Sequence, residues 1–336
     1  MQVPNTSQPT GTTDRLQDIL AEVQEDISEI DRLIREKVIS DVEVVETSSH
    51  YIHGSGGKRV RPALLVLAAK LCGYDGSLAR QYAAVMEMVH TATLVHDDIV
   101  DEATLRRGQT SVNSLLGNDV TVLLGDYLYI RSMDLAIELG SLEILKVICD
   151  ATLRMIEGMM LEMTRGGAVD LSEDEHLDIL ERKTAYLFAG CAKIGAVVAG
   201  ADEQRRRILW DYGLNLGMAF QVVDDLLDFT ASEDVLGKPV LQDLKEGHVT
   251  LPIIYALRAE PRATATVEAV IQRRVIDDVN RKEILDLVRR HRALDAAKEV
   301  AARYSRQASV ALEPLPDSTY KESLLALADF VIDRNK

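Results

Sequence analysis

The chain of 336 residues has few of the residues that characterise several common protein classes. Its three cysteines, Cys72, Cys149 and Cys191, lie far apart and form no CxxC pair, so neither a disulfide framework nor a zinc site is indicated. Acidic residues outnumber basic ones by 54 to 38, and a surface with a net charge of −16 repels nucleic acid and anionic lipid. No uncharged apolar run reaches the roughly 18 residues of a membrane span. Nucleic acid and anionic lipid are therefore unexpected as main partners, and no segment is expected to span a membrane.

Proline and the alternating pattern of β-strands are also scarce. The chain has 8 prolines, whereas apolar residues recur every three or four positions among Leu, Ala, Glu and Arg. This pattern predicts helices nearly throughout. The predicted helices are 14–37, 41–53, 61–72, 76–102, 109–116, 119–139, 141–164, 173–200, 202–230, 249–258, 263–273, 281–311 and 317–333.

Short connections and the lack of a Pro/Gly/Ser-rich linker predict one large all-α domain over residues 14–336. Residues 1–13 read as a flexible polar arm. Because this arm has neither the basic nor the apolar region of a secretory signal, we expect a cytoplasmic protein.

Two aspartate clusters of identical pattern, DDxxD, end two long apolar helices at 97–101 and 224–228. Positions four apart on a helix lie about 40° apart, so the first and last aspartates of each cluster share a face and repel each other. Such oxygen ligands suit Mg²⁺, which keeps several waters and binds substrate phosphate. One cluster alone could equally be a solvated helix end, but two identical clusters in apolar stretches favour a metal site. The predicted metal ligands are Asp97, Asp98, Asp101, Asp224, Asp225 and Asp228.

Two glycines, Gly213 and Gly217, lie on the helix face of Asp224. A glycine inside a helix costs about 1 kcal/mol relative to alanine. Either a ligand passes close to this helix, or another helix packs tightly against it. Both interpretations stay open at this point.

Basic residues stand in local groups despite the acidic background. They are Lys58 and Arg61 in the glycine-rich segment GSGGKRVRP, Arg106 and Arg107 after the first cluster, Lys183 beside Thr184, and Lys238 after the second cluster. Any one of them alone is typically a solvated surface charge. Together with metal-binding carboxylates, two separate basic groups predict two diphosphate sites, because metal ions and Lys/Arg share the charge of phosphate oxygens.

Six segments in a fixed order carry a family resemblance. They are GGKRVRP (56–62), EMVHTATLVHDDIVDEATLRRG (87–108), GDYLYIRS (125–132), KTA (183–185), FQVVDDLLDF (220–229) and LGKPVLQDLKEGHVTLP (236–252). Over about residues 40–255 the chain resembles the trans-isoprenyl diphosphate synthases, the polyprenyl synthetase family. The resemblance implies an isoprenoid synthase fold, which is an all-α bundle around a deep central cavity, and a homodimer. It also implies three Mg²⁺ per active site and head-to-tail condensation of isopentenyl diphosphate with an allylic diphosphate.

The resemblance further implies roles for individual residues. The principal metal ligands are Asp97, Asp101 and Asp224, with Asp225 and Asp228 in or near that shell, and Asp98 and His96 in support. The residues around the allylic diphosphate are Arg106, Lys183, Thr184, Gln221 and Lys238. The residues around the diphosphate of isopentenyl diphosphate are Lys58, Arg61, His90 and Arg107. The catalytic set is Asp97, Asp101, Arg106, Lys183, Thr184, Gln221, Asp224 and Lys238.

The expected mechanism follows from charge. Departure of diphosphate leaves an allylic cation, which needs a dry apolar cavity, while Mg²⁺ and Lys/Arg stabilise the leaving group. The π bond of isopentenyl diphosphate attacks the cation, and in the family's scheme the proton passes to the departing diphosphate. Two positions depart from the family pattern, because His248 stands where a second lysine is usual and Leu241 where a glycine is usual. We expect these departures to affect loop closure and rate more than reaction class.

Product length is expected to depend on how far the growing tail descends below the metal ions. Met86 lies about 16 Å along the helix from Asp97, and no large side chain stands at the positions between them that face the tail. Short-chain members of the family often carry aromatic residues where Ala92 and Thr93 stand here, so the resemblance implies a C30–C50 product, with C20 as the alternative. The predicted chain-length residues are Met86, Val89, Ala92, Thr93 and Met133, of which the last is the expected floor.

Three rival functions remain. A class I terpene cyclase uses similar metal chemistry but generally lacks the second diphosphate site that Lys58, Arg61 and Arg107 predict. A non-catalytic regulatory subunit of a heteromeric synthase typically loses one acidic cluster, and both are intact here. A di-metal carboxylate bundle would carry Glu and ExxH ligands.

The expected partners are the two diphosphate substrates and a second copy of the chain, with a transient membrane contact only for product release.

Overall fold

Helices make up nearly all of the structure, as the sequence predicts. The computed structural model describes residues 12–45, 58–106, 109–230 and 240–333. Within these residues the one ladder is antiparallel and pairs two strands of two residues each, β1 (Leu105–Arg106) and β2 (Gln109–Thr110). The all-α fold class is therefore confirmed.

The helices are numbered in chain order. Those of the first half are α1 (Thr12–Ile19), α2 (Gln24–Lys37), α3 (Val60–Leu71), α4 (Ser77–Val100), α5 (Val112–Leu116), α6 (Asn118–Glu138) and α7 (Leu142–Arg165). Those of the second half are α8 (Glu173–Leu180), α9 (Tyr186–Val198), α10 (Glu203–Thr230), α11 (Gln242–Glu246), α12 (Leu251–Ala259), α13 (Thr264–Arg273), α14 (Asp278–Arg290), α15 (Ala293–Ala311) and α16 (Thr319–Asp333). Single turns of other helix types are Ala21–Val23 and Pro261–Ala263 (3₁₀) and Glu181–Ala185 (π).

The central layer is formed by α3, α9 and α10. Ten of the twelve residues of α3 are buried, which explains why its sequence has almost no polar face. α3 packs on α4 and α9, α9 packs on α10, and α10 packs on α15. The C-terminal helix α16 covers α3 and reaches back to α1. The two helices that carry the aspartate clusters, α4 and α10, are therefore held by a common core.

Glycines bring these helices unusually close together. A Cβ atom on Gly213 would lie 2.7 Å from the carbonyl oxygen of Phe188, and one on Gly217 would lie 2.6 Å from Cα of Ala185. Neither position leaves room for a side chain. Of the two interpretations of this glycine pair, tight helix packing is the one that the structure supports.

Several element bounds differ from the sequence prediction. The helix predicted over 281–311 is interrupted after Arg290, and Arg292 adopts a left-handed conformation with φ of 52° before α15 begins. The helix predicted over 173–200 contains the π turn, and the one over 109–116 begins as a strand. Most of the helix predicted at 41–53 and most of the arm at 1–13 lie outside the described residues. None of the described helices has the length and apolar character that crossing a membrane requires.

Candidate active site

A cavity of about 340 Å³ lies between α4, α7, α8, the π turn and α10, and the segment 243–250 forms one of its walls. Ten of the predicted site residues line it. They are Arg61, His90, Thr93, Asp97, Asp101, Lys183, Thr184, Gln221, Asp224 and Asp225. Residues from both aspartate clusters, separated by 127 positions in the sequence, thus face a single hollow.

The first cluster divides into two environments. Asp97 and Asp101 line the cavity at the end of α4. Asp98 is only 2% exposed and is not among the lining residues, because it turns toward the protein interior. Its carbonyl oxygen accepts a hydrogen bond from the side-chain amide of Asn113, 3.0 Å away. The geometry of Asp98 differs from that of a metal ligand and suits the supporting role.

The second cluster divides in the same way. Asp224 is exposed to the cavity, whereas Asp225 is 5% and Asp228 3% exposed. The two carboxylate oxygens of Asp228 accept backbone N–H groups of Gln242 (2.9 Å) and Asp243 (3.1 Å) at the start of α11. Asp228 does not line the cavity, so the prediction that it ligates metal needs correction: it caps a short helix whose first N–H groups need an acceptor.

Lys183 occupies the π turn, where the chain departs from α-helical geometry and points this side chain into the cavity. Its ammonium group forms an ion pair with Glu162 of α7. Burial alone lowers the pKa of Lys183, but the carboxylates of Glu162, Asp97 and Asp101 outweigh burial and hold that pKa above its ordinary value. Lys183 is therefore a fixed positive charge beside the first cluster.

Glu162 is the centre of a small group of basic residues. His248 Nδ1 lies 3.4 Å from one of its carboxylate oxygens, while Lys183 contacts the other. Burial raises the pKa of Glu162, but Lys183, His248 and His176 more than compensate and leave the pKa below its ordinary value. The imidazole of His248, at the position where the family usually has a lysine, thus lies in the cavity wall.

The pKa of Asp101 is shifted in the opposite direction to that of Glu162. Burial raises the pKa of its carboxyl group, and the nearby acids Glu246 and Glu162 raise it further, while Lys183 and His248 compensate only in part. A carboxylate in this position gains from an additional cation. This electrostatic imbalance fits a metal ion.

The donor set of the cavity suits Mg²⁺ bound together with a phosphate ligand. Within the residues that the structure describes, no three His, Cys, Asp or Glu side chains meet closely enough to hold a metal ion by themselves. Mg²⁺ is usually held by only one or two carboxylates, with waters and substrate phosphates completing its shell. Asp97, Asp101 and Asp224 supply such carboxylates from two sides.

A chain of hydrogen bonds runs through the wall beneath the second cluster. Thr184 Oγ1 donates to Gln221 Oε1 at 2.9 Å, and Gln221 Nε2 donates to Asp225 Oδ1 at 3.1 Å. Nε2 of His176, on α8, lies 3.1 Å from the other carboxylate oxygen of Asp225. Each oxygen of Asp225 therefore already has a protein partner.

Arg61 and His90 form a second basic corner of the cavity. His90 Nε2 and Arg61 Nη1 are 2.9 Å apart, and the guanidinium stacks over the Phe188 ring at 4.5 Å from its centre. Stacking holds the planar guanidinium in one orientation. This corner is suited to a second diphosphate.

An apolar cavity of about 390 Å³ adjoins the polar one, and Thr93 and Met159 line both. Ala92 and Thr93 form its α4 wall, and Met160 and Met163 lie on the α7 side. The other three predicted chain-length residues, Met86, Val89 and Met133, do not line it. Met86 and Val89 are fully buried in the core, and Met133 packs against that core from its edge.

Four of the predicted basic residues are not placed at the cavity by the described structure. Arg107 and Lys238 lie outside the described residues, as does the side chain of Arg106. Lys58 is exposed and does not line the cavity. Their roles stay predictions.

Several lining residues escaped the sequence analysis. They are Glu162, Arg165, His176, Asp243 and Glu246. Glu162 is an acid within the apolar run GMMLEM, and that contrast is a signal the sequence does contain. His176 follows a capping box of Ser172 and Glu175 and carries no local sign of its contact with a residue 49 positions away.

The sequence profile of the polyprenyl synthetase family matches residues 42–288 of the chain. An octaprenyl diphosphate synthase of Haemophilus influenzae is 39% identical over 315 residues, which make up 92% of this chain and 94% of that protein. Both aspartate clusters lie within the matched region.

Solved structures agree with the sequence match. A polyprenyl synthase of Caulobacter crescentus, crystallised with calcium and isoprenyl diphosphate, is 37% identical with a TM-score of 0.91, and the match covers 98% of this chain and 100% of that one. A decaprenyl diphosphate synthase of Rhodobacter capsulatus is 36% identical with a TM-score of 0.88, over 96% of this chain and 99% of that one. The similarity thus extends over the whole helical assembly.

Proposed function

Because the chain belongs to the polyprenyl synthetase family, we propose that it is a Mg²⁺-dependent head-to-tail prenyltransferase. Its substrates are an allylic diphosphate and isopentenyl diphosphate, and its product is an all-trans polyprenyl diphosphate of C30–C50. The observation that carries this proposal is the joint cavity, which acids of both clusters line together with Lys183 and which adjoins an apolar hollow. A charged head and a long apolar tail fit these two parts.

Residues of the polar cavity stabilise the negative charge of the allylic substrate's diphosphate. When bound, Mg²⁺ held by Asp97, Asp101 and Asp224 would neutralise charge that builds up on the leaving diphosphate. Lys183 binds the same diphosphate from the π turn, where its neighbouring carboxylates keep it protonated. The preorganised charge lowers the barrier to departure because it needs no reorganisation.

The second substrate is held at the other basic corner. Arg61 and His90 bind the diphosphate of isopentenyl diphosphate and orient its double bond toward the allylic carbon. Holding both reactants in one cavity replaces a bimolecular encounter by an intramolecular one. The proton released after attack passes to the departed diphosphate, so no protein base is required, and the π bond of isopentenyl diphosphate is itself the nucleophile.

The apolar residues protect the cation. Met155, Met159 and Leu187 line the polar cavity below its charged rim, and Met159 continues into the apolar cavity. Side chains of this kind exclude the water that would quench an allylic cation. The tail of the growing product descends past Thr93, where the two cavities meet.

A long product is favoured over C20 by the names of the relatives and by the small residues at the tail entrance. The Haemophilus relative makes octaprenyl diphosphate by name, and the Rhodobacter structure is named as a decaprenyl diphosphate synthase. Ala92 and Thr93, which line the apolar cavity, leave its entrance open. The geranylgeranyl alternative requires a stopper near this point.

We also infer a homodimer and a single domain over residues 14–336. Large apolar side chains on the outer faces of α6 and α7 are exposed in the single chain. They include Val122, Leu123, Ile130, Ile137, Leu153, Ile156, Met160 and Met163. A second copy could cover this face. The single domain is supported by a core that runs from Leu16 to Val331. A cytoplasmic location stays a prediction.

The test is a product assay with each allylic primer. The purified protein is incubated with farnesyl diphosphate, labelled isopentenyl diphosphate and Mg²⁺, and the products are separated by chain length. We expect label in C30–C50 chains only when Mg²⁺ is present. Extension that stops at C20 contradicts the proposed length, and apolar product without incorporated label points to a cyclase. Activity that appears only with a second synthase present points to a regulatory subunit.

A further inference from the structure

His176 is a buried histidine at the active-site wall for which the proposed reaction has no use. It is 6% exposed and lies on α8, a helix whose start is fixed by the capping box of Ser172 and Glu175. It lines the polar cavity, and Nε2 of its ring lies 3.1 Å from a carboxylate oxygen of Asp225. A buried polar ring in such a position usually has a specific partner to hold.

The carboxylate of Asp225, which His176 contacts, fixes the direction of each hydrogen bond in the chain. An ionised carboxylate accepts hydrogen bonds and donates none, so Nε2 of His176 carries the hydrogen. For the same reason Gln221 must present its NH₂ group to Asp225, and its carbonyl oxygen must point the other way. That carbonyl accepts the only hydroxyl proton of Thr184.

The end of this chain that faces the cavity is consequently negative. The hydroxyl hydrogen of Thr184 is engaged in the hydrogen bond to Gln221, so Thr184 can offer only oxygen lone pairs to a ligand. Both residues line the polar cavity. Oxygen lone pairs stabilise a cation and repel a diphosphate, so this end of the chain suits the allylic carbon rather than the leaving group.

We propose that His176 is a positioning residue which, through Asp225, holds Gln221 and Thr184 with their oxygen atoms toward the allylic cation. This inference rests on the proposed prenyl transfer. It gives Asp225 a role in the wall, distinct from that of Asp224, which is exposed to the cavity. The interaction acts on the cationic transition state and leaves diphosphate binding to the metal-binding acids and Lys183.

The experiment compares His176→Leu, which fills the space without a donor, with His176→Gln, whose amide can donate to Asp225. We expect His176→Leu to lower kcat about 10-fold or more, with KM for both substrates within about 3-fold of wild type. We expect His176→Gln to recover kcat to within about 3-fold of wild type. The matched control is His291→Gln, because His291 pairs with Glu260 at 2.8 Å, outside both cavities, and its loss should leave kcat unchanged.

A binding measurement and a melting curve separate positioning from simple stability. Calorimetric titration with inorganic diphosphate and Mg²⁺ should give the same affinity for wild type and His176→Leu. The inference is overturned if kcat of His176→Leu is unchanged, or if diphosphate affinity and melting temperature fall with kcat and His176→Gln restores none of them. Wild-type enzyme that forms no prenyl product would instead overturn the proposed function itself.

Discussion

At the scale of a single residue, the position of Lys183 among three carboxylates explains how the site holds a positive charge. Lys183 lies on the one π turn of the described chain, between Glu162 on one side and Asp97 and Asp101 on the other. A π turn shifts the following side chains relative to an α-helix and is frequent at functional sites. Lys183 therefore reaches the cavity although the neighbouring helix is apolar.

Replacing Lys183 by methionine should cost activity without changing the fold. Methionine keeps the length of the side chain but removes its charge, so the leaving diphosphate loses one stabilising contact. We expect kcat/KM to fall about 100-fold or more, measured by incorporation of labelled isopentenyl diphosphate. Lys193→Met is the matched control, since Lys193 lies on α9 over the ring of Trp210 and does not line the cavity. A decrease below about 3-fold for Lys183→Met would contradict its role.

Residues on one helix could be predicted from the sequence, whereas contacts between helices could not. The spacing of each aspartate cluster reveals a shared face, and the structure places Asp97, Asp101 and Asp224 at the cavity. The sequence could not distinguish Asp228 from these three acids, because the N–H groups that Asp228 caps lie 14 and 15 residues further along the chain. Glu162 escaped detection for the same reason, since its partners come from two other segments.

Leu241 shows how a departure from the family pattern is accommodated. Its φ of 64° lies in the left-handed region, where a glycine is the usual residue. The leucine side chain is fully buried, and its N–H donates to the carbonyl of Asp228. Burial of a leucine contributes about 1.5–3 kcal/mol, enough to offset the roughly 1–2 kcal/mol of the strained backbone.

The helices themselves follow from the sequence, but their interruptions follow only in part. The long apolar periodicity locates α4, α7 and α10 within a few residues. The break before Arg292 has neither glycine nor proline to mark it, and the left-handed residue there is an arginine. The turn is stabilised by packing of α14 and α15 on α12, a tertiary contact that no local pattern encodes.

Glycines set the distance between α9 and α10, and substituting one of them should disturb both stability and activity. Gly217→Ala places a Cβ 2.6 Å from Cα of Ala185, next to Thr184, so the π turn must shift. Overpacking of this kind costs about 1–3 kcal/mol, and the better helix propensity of alanine returns at most about 1 kcal/mol. We expect a lower denaturant midpoint together with a lower kcat.

Gly190→Ala provides the matched comparison on α9. There the added Cβ would lie 3.4 Å or more from its neighbours, which is ordinary contact. We expect this variant to be as stable as the wild type, or more stable by up to about 1 kcal/mol, with normal activity. If Gly217→Ala and Gly190→Ala lowered the denaturant midpoint and kcat equally, the helix spacing at Gly217 would not be what positions the π turn.

At the scale of the whole molecule, the fold joins a polar and an apolar hollow end to end. α4 contributes to both, with Asp97 in the first and Ala92 in the second, and Asp101, directly after α4, also lines the first. The chain has a net charge of −16, and acids also outnumber Lys and Arg along the polar cavity, which suits a ligand that binds together with cations. A diphosphate with a prenyl tail is the kind of ligand that matches such a pair of cavities.

The exposed apolar faces of α6 and α7 adjoin the apolar cavity. Ile156, Met160 and Met163 line that cavity and are at the same time exposed on the surface of the chain. The surface of a single chain would therefore be open to water beside the product tail. A second copy packed on this face would close it, and sedimentation velocity at micromolar concentration should accordingly give the mass of a dimer.

The most direct test of the central claim is a crystal structure with Mg²⁺ and the unreactive thiolo analogue of farnesyl diphosphate. We predict that the diphosphate group lies between α4 and α10, bridged through Mg²⁺ to Asp97 and Asp101 on one side and to Asp224 on the other. The farnesyl tail should descend past Thr93 into the apolar cavity. A diphosphate bound elsewhere, or contacted by only one of the two aspartate clusters, would contradict the account.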